Sequence, residues 1–361
     1  MLLNIDHSLP SEFHHSGDKG NKPYPYPRLR YMGSKYNLLS WIKEAFSTLE
    51  FDSALDAFSG SGAVSWLLKS MGKQVFSNDF LHFSWRIAMA TIENSVKKLG
   101  KDDIDYLLEQ TGTERHFISD TFQNIFFTKN DLTFLDSVSD RIHGLNDPYK
   151  EALAYSALFR SCLKKQPRGV FTIGGNLEKY NDGRRDLRLS ISDHFIEQIE
   201  VYNQIVFDNG QNNRALHSDI FNLDVESIKP DLVYMDPPYV PMADDNCYIK
   251  RYHFLEGLSK YWLDEKIMED SKVRKIAKKF TPFSYRSEAL TAFDSMFRKF
   301  SSSILVLSYS SNGFPDLDTL VGTMGRYKNR IRVLKKEHRY HFGTHEAAKR
   351  RIVEEYLIIG E

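Results

Sequence analysis

Residues 53–79 spell out one unit that few folds can accommodate. Ser53-Ala-Leu-Asp-Ala-Phe58 reads as a short apolar strand, Ser59-Gly-Ser-Gly62 as its glycine-bearing exit, and 63–70 as the helix that follows. Gln74-Val-Phe-Ser77 is the next strand, and it stops at Asn78-Asp79. Strand, glycine turn, helix, strand and acid in that order are the layout of an open α/β nucleotide-binding unit. Glycines let the backbone approach a ligand at a helix N-terminus, and an acid about 20 residues on is placed to bind ribose hydroxyls. Taken alone, the turn is a weak signal, because Ser65 makes the third small position of a dinucleotide fingerprint imperfect. The plain alternative for Asp79 is an ordinary strand-end turn, and its spacing from the glycines favours the ribose role.

The same alternation returns later in the chain. Short apolar runs recur at 215–219, 231–235, 303–308, 331–334 and 354–359. Between about 85 and 208 they give way to helical, aromatic-rich stretches, a basic segment at 160–168, and the glycines 169, 174 and 175. This predicts a mainly parallel, twisted α/β sheet over 28–84 and 209–361, interrupted by an inserted, mostly helical domain over 85–208. Residues 1–27, ending in Lys22-Pro-Tyr-Pro-Tyr-Pro27, read as an extended N-terminal arm, since alternating prolines disfavour a packed element. A second basic stretch covers 272–279.

Asp236-Pro237-Pro238-Tyr239 follows the apolar run 231–235. It sets a carboxylate, a bend without backbone donors and an aromatic face at the mouth of a buried strand. That equipment suits a planar, amino-bearing base; the plain alternative is a strand ending in a proline turn. Arg28-Leu-Arg-Tyr-Met-Gly-Ser-Lys35 places a Gly-Ser turn and a lysine before a helix over 36–49. There Lys35 is either a carboxylate partner or a solvated residue behind a Ser34 cap.

Composition narrows the classes. Lys plus Arg equals Asp plus Glu at 48 each, so no global basic field advertises a polyanion, and any such site must come from local clustering. Two cysteines, Cys162 and Cys247, lack metal-type spacing and fit a reducing compartment. No apolar run approaches the roughly 18 residues of a membrane span, and the expectation is a cytoplasmic protein.

Taken together, Tyr-x-Gly-Ser-Lys, Asp-x-Phe-x-Gly-x-Gly, Ser-Asn-Asp, a long insert and Asp-Pro-Pro-Tyr follow one order. In this the chain resembles the Dam-type (D12 class) adenine-specific DNA methyltransferases, from Arg28 to the end and most weakly in the insert. The resemblance implies a Rossmann-like fold dependent on S-adenosylmethionine, with no metal required. It implies that Tyr31 and Lys35 contact the methionine end of the cofactor, that Phe58, Gly60 and Gly62 form the loop beneath it, and that Asp79 binds the ribose. Asp219 would stand near the cofactor's adenine, and Asp236, Pro237 and Tyr239 would be catalytic, with Asp236 also bordering the cofactor. It also implies double-stranded DNA as partner, either with a cognate restriction endonuclease acting separately or as an orphan or phage-borne modification enzyme without one. Target recognition would lie in the insert, where Lys164, Lys165, Arg168, Arg184, Arg185 and Arg188 are candidate phosphate and guanine contacts. Tyr248, Tyr252, His253, Phe254, Tyr340 and Phe342 are candidates for the opposite wall of a base pocket, against the commoner role of aromatics as core. RNA is the alternative substrate, and a catalytically silent DNA-binding subunit of the same fold is the alternative class. Cytosine-N4 and glutamine methylation fit less well, since those enzymes usually carry Ser or Asn at the position of Asp236.

Overall fold

The computed structural model describes residues 5–6, 25–109, 114–167, 169–175, 183–241, 248–339 and 352–361. Arg168, Cys247, Tyr340 and Phe342 lie outside the described residues. Ten strands are present among those described: β1 (Ile5–Asp6), β2 (Ser53–Asp56), β3 (Gln74–Asp79), β4 (Arg214–His217), β5 (Leu232–Met235), β6 (Val240–Pro241), β7 (Ile304–Ser310), β8 (Gly313–Phe314), β9 (Ile331–Arg339) and β10 (Ile352–Gly360). Eight of them form one sheet in the order β1-β9-β10-β7-β5-β2-β3-β4. β4, β3, β2, β5 and β7 are mutually parallel, while β10 runs antiparallel to both β7 and β9. The strand order reverses between β2 and β5, and ligands of open α/β sheets bind at such a switch point, beyond the carboxyl ends of the strands.

Alternation along the strands explains the two faces. Ala54, Leu232, Tyr234, Val306 and Leu357 join one hydrophobic cluster; Leu55, Val233, Met235, Leu305 and Ile358 join the other. Successive side chains point to opposite faces, so central strands must be apolar at every position, and β5 is buried throughout.

Helices cover both faces. The first cluster takes in α1 (Leu39–Phe46), α2 (Ala63–Ser70) and α3 (His82–Ala88). It continues without a break through the segment expected as an insert: α4 (Lys101–Leu108), α5 (Phe117–Thr121), α6 (Lys129–His143), α7 (Pro148–Lys165), α8 (Arg185–Arg188) and α9 (Ile191–Gln204), of which α8 alone contributes no buried residue. α7 and α9 pack along each other, and α7 also packs on α3. These helices begin where sequence chemistry places them: Thr128 and Ser190 form capping boxes with Asp131 and Asp193, and Asp147 caps α7 ahead of Pro148. α10 (Tyr248–Leu258) belongs to the same layer. The opposite face carries α11 (Arg286–Lys299) and α12 (Leu317–Met324). The helical region therefore shares its core with the sheet. At the end of the stretch expected as an arm, Tyr26 and Pro27 are buried. Among the described residues, no helix is long and apolar enough to cross a membrane.

Candidate active site

The site is assembled at the carboxyl ends of β2, β3 and β5. The chain leaves β2 into a turn in which Gly60 and Gly62 adopt φ of +51° and +76°, a region open to glycine and strained for other residues. Both are also close-packed. A Cβ on Gly60 would meet the Tyr31 ring at 2.9 Å, and one on Gly62 would meet the Tyr26 hydroxyl at 2.5 Å. The Tyr26 hydroxyl in turn donates to the Ser61 carbonyl at 2.6 Å, so the end of the N-terminal segment props the glycine loop from below.

Asp79, at the tip of β3, locks that loop. Its Oδ2 accepts from the Gly60 amide at 2.8 Å and its Oδ1 from the Leu81 amide at 2.9 Å. Burial pushes its carboxyl up to about 7 against the opposing pull of the two amides. Asp56, the last residue of β2, is equally buried. The Ser65 hydroxyl donates to its Oδ2 at 2.6 Å, yet burial again prevails and raises its carboxyl to about 7.

The segment before α1 closes the cleft from the other side. Gly33, at φ +75°, turns the chain so that Lys35 points inward, 4% exposed. Lys35 Nζ lies 2.9 Å from Asp236 Oδ1 and 3.2 Å from the Gly33 carbonyl. These two residues, 201 apart in sequence, form the ion pair at the end of β5. Burial raises the Asp236 carboxyl and the Lys35 ammonium opposes that rise. Tyr31 stacks on Tyr252 with ring centroids 5.0 Å apart and planes at 2°, and on Tyr248 at 5.5 Å. The Met32 amide donates to the Tyr252 hydroxyl at 2.7 Å, and the Tyr248 hydroxyl donates to the Met32 carbonyl at 3.2 Å. The first turns of α10, just beyond Asp-Pro-Pro-Tyr, thus clasp the segment carrying Tyr31 and Lys35.

Tyr31, Lys35, Phe58, Gly60, Asp79 and Asp236 accordingly line one cleft of about 570 Å³ that opens to solvent. Gly62 lies beneath it. Asp219 is exposed in a turn, where it accepts from the Phe221 amide at 2.9 Å. It connects to the cleft only indirectly: Phe221 stacks on Phe283, and Phe283 meets Phe58 edge-on at 5.5 Å. Pro237 is buried. Tyr239, next to the catalytic-motif prolines, packs edge-on against Tyr309, 5.3 Å between centroids, and the next residues pair with β8 as a short ribbon.

The basic residues of the helical region have internal partners. Lys164 Nζ binds Asp186 Oδ1 at 2.7 Å, Lys165 Nζ reaches the carbonyls of Leu187 and Leu189, and Arg184 reaches the Pro167 carbonyl at 3.2 Å. Arg185 pairs with Glu197 in solvent, and Arg188 is exposed. Of the aromatic candidates among the described residues, Tyr252, His253 and Phe254 are core, and Tyr248 lines the cleft.

Two further polar residues lining the cleft escaped the sequence reading. Asp56 Oδ1 and Ser59 Oγ are buried there without a hydrogen-bond partner among the described residues. A carboxylate closing an apolar strand was the available signal for Asp56; Ser59 offered none.

A sheet with this strand order, a glycine loop after β2 and a lysine–carboxylate pair at the switch point define a Rossmann-like, methyltransferase-type architecture. Residues 31–310 match the D12 class N6 adenine-specific DNA methyltransferases, and the chain belongs to that family. It is 28% identical over 334 residues to the type II methyltransferase M2.HphI of Haemophilus parahaemolyticus, covering 87% of this chain and 92% of that protein. It is 25% identical over 319 residues to the modification methylase LlaI of Lactococcus lactis subsp. lactis, and 26% over 307 residues to the type II methyltransferase M.FokI of Planomicrobium okeanokoites. Those matches take in 83% and 79% of this chain, which spans only about half of either relative, 49% and 45%.

Proposed function

We propose that the chain performs its family's reaction, methyl transfer to the N6 amino group of adenine in DNA, within a specific duplex sequence and on a base flipped out of the helix. The observation that carries this reading is the Lys35–Asp236 pair, 2.9 Å apart at the floor of the cleft. An adenine amino group is a poor nucleophile because its lone pair is delocalised into the ring. The Asp236 carboxylate and the Pro237 carbonyl accept its two hydrogens, which favours a pyramidal nitrogen and stabilises the positive charge that develops on it. Lys35 keeps Asp236 ionised against burial and orients it. Tyr239 stacks on the base, its ring supported edge-on by Tyr309. Flipping costs about a few kcal/mol, recovered in such contacts.

The residues of the cleft suit S-adenosylmethionine. The unpartnered Asp56 Oδ1 and Ser59 Oγ offer acceptors to an amino-acid ammonium, and the left-handed glycines let the loop approach closely. Lys35 and Tyr31 border the same end. Asp79 takes ribose hydroxyls through the lone pairs its two amide bonds leave, and Asp219 stands toward the adenine. When bound, the cofactor supplies an electrophilic methyl group on a sulfonium, and holding nitrogen and methyl in line provides the rest through proximity. The reaction so written needs no metal.

Residues 28–84 and 209–361 then carry catalysis, and 85–208 target recognition, with Arg184, Arg185 and Arg188 as phosphate contacts, joined by Lys164 and Lys165 if DNA displaces their present neighbours, and by Arg168, which lies outside the described residues. A cognate endonuclease acting separately fits a modification enzyme. The test is Asp236→Ala: methyl transfer should fall by three orders of magnitude or more while calorimetry still shows cofactor binding. Activity within tenfold of wild type would remove Asp236 from the chemistry.

A further inference from the structure

The second basic stretch, 272–279, has no part in the site just described. Lys272, Arg274, Lys275, Lys278 and Lys279 fall within eight residues that contain no acid. The segment runs back along 264–271 as an antiparallel excursion, with Ile267 bridged to Ile276 and the Met268 amide donating to the Lys275 carbonyl at 2.7 Å. The other arm carries Asp264, Glu265, Glu269 and Asp270, so the excursion is two-sided, with the cations concentrated on the returning strand. Lys279 is engaged with the buried Glu256 at 2.7 Å, and Arg274 with the Glu269 carbonyl at 2.6 Å. Lys272 and Lys278 are exposed and Lys275 is half-buried.

Packing decides where this strand sits. Val273 is buried against Gly174, where an added Cβ would approach its Cγ1 to 3.2 Å. That glycine belongs to the 169–175 loop, which precedes Arg184, Arg185 and Arg188 in the sequence. The same loop is tied to α10: the Phe171 amide donates to the Arg251 carbonyl at 2.8 Å, and His253 Nε2 lies 2.8 Å from the Phe171 carbonyl. α10 starts at Tyr248 in the cleft lining and carries Lys250 and Arg251 on its first turn. Where the strand ends, Phe280 is 59% exposed and stacks on Tyr285, itself 45% exposed, at 5.3 Å. Exposed aromatics beside lysines are costly to leave in water and suit a polyanion with apolar sugar and base edges.

We propose that Lys272, Lys275 and Lys278, with the Phe280–Tyr285 pair, form a second duplex-contacting edge. They would hold the phosphates flanking the target while the helical region reads the sequence. This rests on the reading of the chain as a duplex DNA methyltransferase. Charge neutralisation is sequence-independent, so the edge adds affinity and register and leaves the chemistry alone.

The experiment compares the full-length wild-type protein with Lys272→Gln/Lys275→Gln/Lys278→Gln and, separately, Phe280→Ala. Binding to a fluorescent duplex containing the mapped target is followed from 50 to 300 mM salt. Lys229→Gln, an exposed lysine on the loop before β5, is the charge control. The triple variant should bind about tenfold or more weakly at physiological salt, with the slope of log affinity against log salt flattened by about 2–3, one contact per lysine. Phe280→Ala should weaken binding without moving the slope. Cofactor affinity by calorimetry should stay at the wild-type value for both, which also shows that they are folded. Wild-type affinity and slope in the triple variant would overturn this inference alone. Failure of the wild-type protein to bind any duplex would overturn it together with the reading it rests on.

Discussion

Asp236 recovers from Lys35 part of what burial takes from it. Removing the ammonium with Lys35→Met leaves the carboxylate buried and uncompensated, so its pKa must rise further. Because the reaction requires the ionised form, activity is lost as pH falls through that pKa. The acid limb of the kcat profile, taken at saturating cofactor, should therefore move to higher pH in Lys35→Met. An unmoved limb would mean that Lys35 acts on the cofactor alone. Asp56 gives a stability test of the opposite sense. Its carboxyl is held near 7 when folded, well above the ordinary value of 3.8, so the folded chain binds the extra proton between those values. Stability then falls as pH rises through that window and is lowest above about 7. Asp56→Asn removes the penalty and should stabilise the cofactor-free protein at pH 8 by on the order of 1–3 kcal/mol, with the gain shrinking toward pH 5. Denaturant melts at the two pH values check this; a gain that does not depend on pH would contradict it.

At the scale of elements, the glycine loop is the part most tightly specified by packing. Gly62→Ala has to accept both a left-handed φ and a collision with the Tyr26 hydroxyl, and should cost about 2–4 kcal/mol. A double-mutant cycle with Tyr26→Phe should recover the collision but not the backbone strain, giving measurable coupling; strict additivity would place Tyr26 elsewhere. This loop was legible in the sequence because a glycine turn after an apolar strand is a local signal. β5 was legible for a related reason, since a strand buried on both faces is apolar at every position. The clasp of Tyr248 and Tyr252 on Met32 was not, because it joins residues 216 and 220 apart and nothing in either neighbourhood encodes the other. Nor did the basic segment 160–168 reveal that Lys164 and Lys165 would find Asp186 and the carbonyls near α8. The packing of Tyr26 under the loop likewise contradicts what alternating prolines suggest locally.

For the molecule as a whole, the sheet and the helical region share one of the two hydrophobic clusters, and α10 and 259–276 pack into the same layer. The order of motifs suggested an inserted domain over 85–208. A chain joining 28–84 directly to 209–361 would expose the apolar faces of α3 and α10. It should show no cooperative unfolding transition in denaturant, and a sharp transition with cofactor binding intact would establish the sheet as an independent domain. The central claim concerns the reaction itself. Its most direct test is transfer of radiolabelled methyl from S-adenosylmethionine to unmethylated duplex DNA, with total RNA in parallel and the product nucleoside identified by mass spectrometry. N6-methyladenine should appear in DNA and be lost in Asp236→Ala. Label confined to RNA, or no label in either nucleic acid while the cofactor still binds, would contradict that claim.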